Sequence, residues 1–106
     1  MSKKISKLID DLKNNDARVR FWAAASIGYF EAKEAVPALI EALKDSNPGV
    51  SYRAAEALGD IGPDAKESIP ALVEALKESD TDLRFWAASA MRKIGHRKQK
   101  ASPMNK

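Results

Sequence analysis

One two-part unit is written three times along this chain, and that repetition constrains the fold more than any other feature. The first part reads ISKLIDDLK, VPALIEALK and IPALVEALK, and each copy ends six residues before Val19, Val50 or Leu83. The second part reads DARVRFWAAASIGYF, NPGVSYRAAEALGDI and DTDLRFWAASAMRKI, at offsets of 31 and then 33 residues. The two extra residues fall around Gly62-Pro63-Asp64, where a loop is expected to absorb them. In the first part Ile5/Leu8/Ile9/Leu12, Val36/Leu39/Ile40/Leu43 and Ile69/Leu72/Val73/Leu76 recur at i, i+3, i+4, i+7, the apolar stripe of an α-helix. In the second part Asp16, Asn47 and Asp80 stand just before the periodic residues, where a short acceptor side chain starts a helix. Pro48 fits the first helical position, and Pro37 and Pro70 sit near helix starts, where a missing N–H costs little. An all-α fold of six helices in three hairpins follows.

The 106 residues support one domain with a modest core. No uncharged stretch approaches the ~20 residues needed to cross a bilayer, so no membrane partner is expected. The start, MSKKISKLIDD, spreads charges through its apolar positions and lacks the continuous apolar run of a secretory signal. With no cysteine there can be no disulfide and no thiolate metal site, which fits a cytoplasmic protein. The net charge of +3 conceals an asymmetry: residues 92–106 carry six bases and no acid, leaving a net −3 on residues 1–91. The reading is a repeat domain over 1–95, with units at about 3–31, 34–62 and 66–95, and a basic disordered tail over 96–106.

The pattern V-R-x-x-A-A-x-x-L-G-x-I-G resembles the HEAT repeat, and more narrowly the short HEAT-like type of the phycobilisome lyases. Val50, Ala54, Ala55, Leu58, Gly59, Ile61 and Gly62 carry the match, with residues 36–45 as the other helix. The resemblance implies an α-solenoid whose second helices line the concave side. Function is not implied, because this repeat serves scaffolds, adaptors, lyases and nucleic-acid enzymes alike.

The end units depart from the middle one in a directed way. Ala38 and Ala42 align with Ala71 and Ala75 but with Lys7 and Asp11 in the first unit; Gly28 and Gly59 align with Arg92. Small residues suit close contact with a neighbour and charged ones suit solvent, so the expectation is a complete three-repeat array with polar end units.

Both tryptophans fall in one phrase, RFWAA, at 20–24 and 84–88, with SYRAA at 51–55 between them. At ~100° per residue from Val19, Ala23, Ile27 and Phe30 cluster on the core side, while Phe21, Ala25, Tyr29 and Trp22 fall on the other. Phe21, Trp22, Tyr29, Tyr52, Arg53, Phe85 and Trp86 are therefore the candidate partner-binding residues, in rows Phe21–Tyr52–Phe85 and Trp22–Arg53–Trp86, with the Arg53 guanidinium between two indoles. Trp22 and Trp86 are otherwise accommodated by tucking against neighbouring helices. Arg20 and Arg84 fall near the core's edge, where their heads are expected to pair with Asp16, Asp45 or Asp80; Ser51 breaks that series.

Nothing in the sequence assembles a catalyst, cofactor site or metal site. His96 is the only histidine; there is no His-Glu pair of the deoxyhypusine hydroxylase kind, no phosphate loop and no nucleophile motif. Trp22, Arg53, Asp60 and Trp86 offer the residue types of HEAT-like alkylpurine DNA glycosylases, on a chain too short to match that family along its length. The expected function is non-enzymatic: a scaffold taking a protein, a peptide or a second copy of itself on its aromatic face. The alternative is nucleic-acid association through Arg92, Lys93, Arg97, Lys98 and Lys100, and a lesser one is an accessory lyase-like subunit.

Overall fold

The computed structural model describes residues 2–101, with the side chains of 2–95. Six α-helices occur among them: α1 (Lys3–Asp11), α2 (Ala17–Phe30), α3 (Val36–Ala42), α4 (Pro48–Ile61), α5 (Ile69–Ala75) and α6 (Thr81–Ala101). The expected caps start the long helices. Asp16 accepts from Arg18 N–H at 2.9 Å, Asn47 from Gly49 N–H at 2.8 Å and Asp80 from Leu83 N–H at 2.9 Å.

α2, α4 and α6 pack side by side as one layer, and α1, α3 and α5 each back onto their own partner as a second layer. Ile27, Val36, Leu39, Val50, Leu58 and Leu72 are fully buried between the layers. Within the α2–α4–α6 layer the closest backbone approaches are made at small residues. A Cβ added to Gly28 would lie 3.0 Å from the Cα of Ala57, and one added to Gly59 would lie 3.0 Å from the Cα of Ala90. The two glycines therefore admit the backbone of the following repeat, as their alignment with Arg92 at the last repeat suggested.

Two connections differ from expectation. The Gly62 region is not an open loop: after a break at Gly62, a 3-10 segment, Gly62–Ser68, leads from α4 into α5, kinked at Ala65 and closed by Ser68 Oγ donating to Ala65 O at 2.6 Å. The two inserted residues are thus absorbed by helical winding. The aligned positions 31, 62 and 95 also behave unequally. Glu31 ends α2 in the left-handed region (φ 50°, ψ 46°), and Gly62 ends α4 at φ 78°. Gly95, followed by His, Arg, Lys and Gln with no proline until Pro103, lets α6 run on to Ala101. The backbone is therefore helical for six residues past the boundary expected at residue 95; residues 102–106 of the expected tail lie outside the described residues.

Phe30 departs from its expected place on the core face. It is 45% exposed at the last turn of α2, stacked edge-on by Tyr29 with Lys4 Nζ 5.1 Å from its ring centre. The aligned Ile94 is buried. A lysine and a tyrosine flank the ring here in place of a core.

A candidate protein-docking face

The RFWAA phrase resolves once each aromatic is followed to its neighbour. Phe21 leans toward the following repeat: its ring lies against Tyr52 edge to face at 6.4 Å, against the Arg53 guanidinium at 4.9 Å and beside Gly49. Phe85, the same position in the third repeat, has no following repeat among the described residues and is 60% exposed. The tryptophan position faces the other way. Trp86 packs half-buried against the core, whereas Trp22, with no preceding repeat, is 65% exposed beside Leu8 and Val19 in a shallow groove at the α1–α2 end. Each phrase also pairs its own two rings edge to face, Phe21–Trp22 at 5.3 Å and Phe85–Trp86 at 5.1 Å. One tryptophan is tucked and one is open, and the open aromatics, Trp22 and Phe85, mark opposite ends of the layer. Tyr29, 82% exposed, adds a third.

The row Trp22–Arg53–Trp86 therefore does not form as expected. Arg53 lies over Phe21 and Tyr52 (5.6 Å) rather than between the indoles, and its Nη1 donates to Glu56 Oε1 at 2.6 Å. The cause is direction: residue 53, like residue 86, leans toward the preceding repeat, where it meets Phe21. Its buried Nε has no hydrogen-bond partner.

Beside Arg53 the face holds a small pocket of about 210 Å3, lined by Tyr29, Arg53, Glu56 and Asp60. Asp60 is also held by Lys93 Nζ at 3.5 Å. Burial pushes the Asp60 carboxyl above its ordinary value of 3.8, the Glu56 and Glu31 charges add to that, and Lys93 opposes it. Glu56 escaped the sequence reading. Its signal was there, since residues 53, 56 and 60 at i, i+3 and i+7 share one helix face. A folded carboxyl with a raised pKa binds its proton more tightly than the unfolded chain, so its stabilising contribution is present at low pH and is lost as pH rises through the folded value. Asp60→Asn should accordingly raise the melting temperature by about 1–3 °C at pH 7, a gain kept small by solvent access and the lost lysine contact. The gain should disappear below pH 3.8, where both states of the wild type carry the proton. Calorimetry of the two proteins across that range is the check.

Of the residues suggested for nucleic acid, Arg92 is exposed and Lys93 is drawn to Asp60. The side chains of His96, Arg97, Lys98 and Lys100 lie outside those described. Arg20 grips Asp45 across to the next repeat, as expected of one of its three candidate acids. Arg84 does not pair with Asp80: its Nη1 donates to the carbonyls of Glu78 and Ser79 at 2.8 and 3.0 Å. Among the described residues, no helix is long and apolar enough to cross a membrane.

Small-residue contacts between successive second helices, in register over three hairpins, define an α-solenoid of helical repeats. A family model of HEAT repeats matches residues 5–92, and the chain belongs to that family. Among solved structures, the complex of CpcE and CpcF of phycocyanin lyase from a Nostoc species is similar, with a TM-score of 0.81 and 28% identity over 89% of this chain and 38% of that one. Human deoxyhypusine hydroxylase in complex with glycerol matches with a TM-score of 0.78 and 26% identity, over 91% of this chain and 33% of its own. An engineered protein shares the fold at 20% identity and a TM-score of 0.76, over 89% of this chain and 46% of its own. The chain thus spans less than half the length of each. No curated protein matches it by sequence.

Proposed function

We propose that this protein is a non-enzymatic interaction module that docks a protein or peptide on the outer face of the α2–α4–α6 layer, the side the HEAT resemblance makes concave. The observation that carries this reading is the exposure of Trp22, Tyr29 and Phe85 on one helical layer, with Arg53, Glu56, Asp60 and Lys93 between them. Large rigid aromatics around a small charged centre have the composition of binding hot spots. The similarity to CpcE and CpcF, which were solved as a complex, supports a partner that is a protein. The pocket's Arg53 and Asp60 are ion-paired, to Glu56 and Lys93, which suits recognition.

The test separates fold from binding. Trp22→Ala with Phe85→Ala removes exposed rings only and should leave the melting temperature within about 3 °C. Binding of any polypeptide retained by the wild type should fall by at least about 30-fold, the effect of one hot spot. The same variant should lose any concentration-dependent mass increase seen by light scattering. Retention of partners by the variant equal to that of the wild type would refute this face as the interface. Trp86→Ala is a different experiment, since that ring packs on the core and its loss should destabilise the fold.

A further inference from the structure

A groove lies on a different edge from the aromatics. It measures about 680 Å3 and opens between the α3–α4 and α5–α6 turns, over Leu43, Ala75 and Leu83, with Asp45, Glu78 and Ser51 in its walls. The preceding junction of the same array has an arginine in the equivalent place. There Arg20 reaches from α2 to the next repeat, donating from Nε to Asp45 Oδ2 at 2.8 Å and from Nη2 to Asp45 Oδ1 at 3.0 Å. Its Nη1 meanwhile donates to the carbonyls of Asn14 and Asn15 at 2.8 and 3.1 Å.

Each acceptor of that site has a counterpart one repeat later. Glu78 aligns with Asp45, and the carbonyls of Asp45 and Ser46 align with those of Asn14 and Asn15. Arg84 shows that the carbonyl pair receives a guanidinium in a second repeat, through its bonds to Glu78 and Ser79. Only the donor is missing in the middle. Ser51 stands in the arginine's position, is 4% exposed, and turns its Oγ onto the Asn47 and Pro48 carbonyls of its own helix start, at 3.4 and 3.3 Å. Among the described residues the Glu78 carboxylate holds no ion pair.

We propose that this vacated position is a receptor for the guanidinium group of an arginine side chain presented by a partner polypeptide. The fork of a guanidinium meets one carboxylate with two N–H groups and the carbonyl pair with a third, which a lysine ammonium cannot do. The aliphatic stem lies over the apolar floor. This chain's own arginines do not supply the group. Arg18, Arg20, Arg53 and Arg84 are engaged elsewhere, and the groove sits at the first turn of α6, roughly 13 Å of helix before residue 92 and 21 Å before residue 97.

The experiment uses the full chain, 15N-labelled, titrated with the capped tripeptides Gly-Arg-Gly and Gly-Lys-Gly. The arginine peptide should shift the amides of Ser51, Glu78 and Asp80 and bind at least about fivefold more tightly than the lysine peptide. Ser51→Arg supplies the donor from within, so it should raise the melting temperature and abolish those shifts. Glu78→Gln, which keeps shape and removes charge, should weaken arginine binding by about tenfold and settles the matter if Ser51→Arg fails to fold. Shifts that are absent or equal for the two peptides would overturn the proposal. So would arginine binding that survives Ser51→Arg or Glu78→Gln.

Discussion

Gly59→Ala should destabilise the protein by about 1–3 kcal/mol, whereas the identical change at Gly95 should stabilise it by about 0.5–1 kcal/mol. At Gly59 the new methyl would meet the Cα of Ala90 at 3.0 Å and its Cβ at 3.3 Å. That obstacle is backbone, so α6 as a whole must move away from α4. At Gly95 nothing lies within 4 Å of the added Cβ, and the residue sits inside α6. There alanine brings only its higher helix propensity. For a domain of this size the pair should differ in melting temperature by roughly 10 °C or more. A Gly59→Ala protein as stable as the wild type would mean that the second helices are not in direct backbone contact.

Asp45→Ala should be nearly as damaging, at about 2 kcal/mol, because one carboxylate joins two repeats and orders the turn between α3 and α4. It receives both Arg20 bonds, and its Oδ1 also accepts the Asn47 N–H at 2.9 Å, just ahead of the α4 cap. The Arg20 and Asp45 side chains are only 16% and 10% exposed, so the pair is shielded from salt. Burial by itself would raise the Asp45 pKa, but the bonds from Arg20 and Asn47 outweigh it and hold it below the ordinary 3.8. A depressed folded pKa contributes stability above the unfolded value that is lost as pH falls through the folded one. The gap between wild type and Asp45→Ala should thus be full at pH 7 and shrink below pH 3.8. Thermal melts at pH 7 and pH 2.5 would show it. A gap unchanged at low pH would mean that shape, and not charge, is what Asp45 supplies.

What could be read from the residues follows from where each kind of information resides. Helix starts were legible because Asp16, Asn47 and Asp80 act on N–H groups two or three residues away. The close contacts at Gly28 and Gly59 were legible because glycine recurs at one register in two successive repeats, where a following backbone has to fit. The exposure of each aromatic was not. Angle on a helix gives a direction, while burial depends on whether a neighbour stands there, and Phe21 and Phe85 share an angle with opposite outcomes. Arg53 went astray for the same reason, its stem leaning toward Phe21 of the preceding repeat. Phe30 was placed in the core by periodicity, at a turn where Lys4 and Tyr29 flank a half-exposed ring. The Gly62–Ser68 segment was hidden because glycine and proline signal a turn without saying that it winds helically.

The helices are unequally anchored, and this sets where the chain opens. α1 contributes no buried residue, whereas α4 contributes seven. Undocking α1 exposes little apolar surface, so its amides exchange with solvent through local fraying, while those of α4 exchange only when the whole array comes apart. Trp22 stands over Leu8 of that fraying helix. A partner that gripped Trp22 would also staple α1, so that occupancy of the proposed docking face would register as slowed exchange at the amino-terminal end.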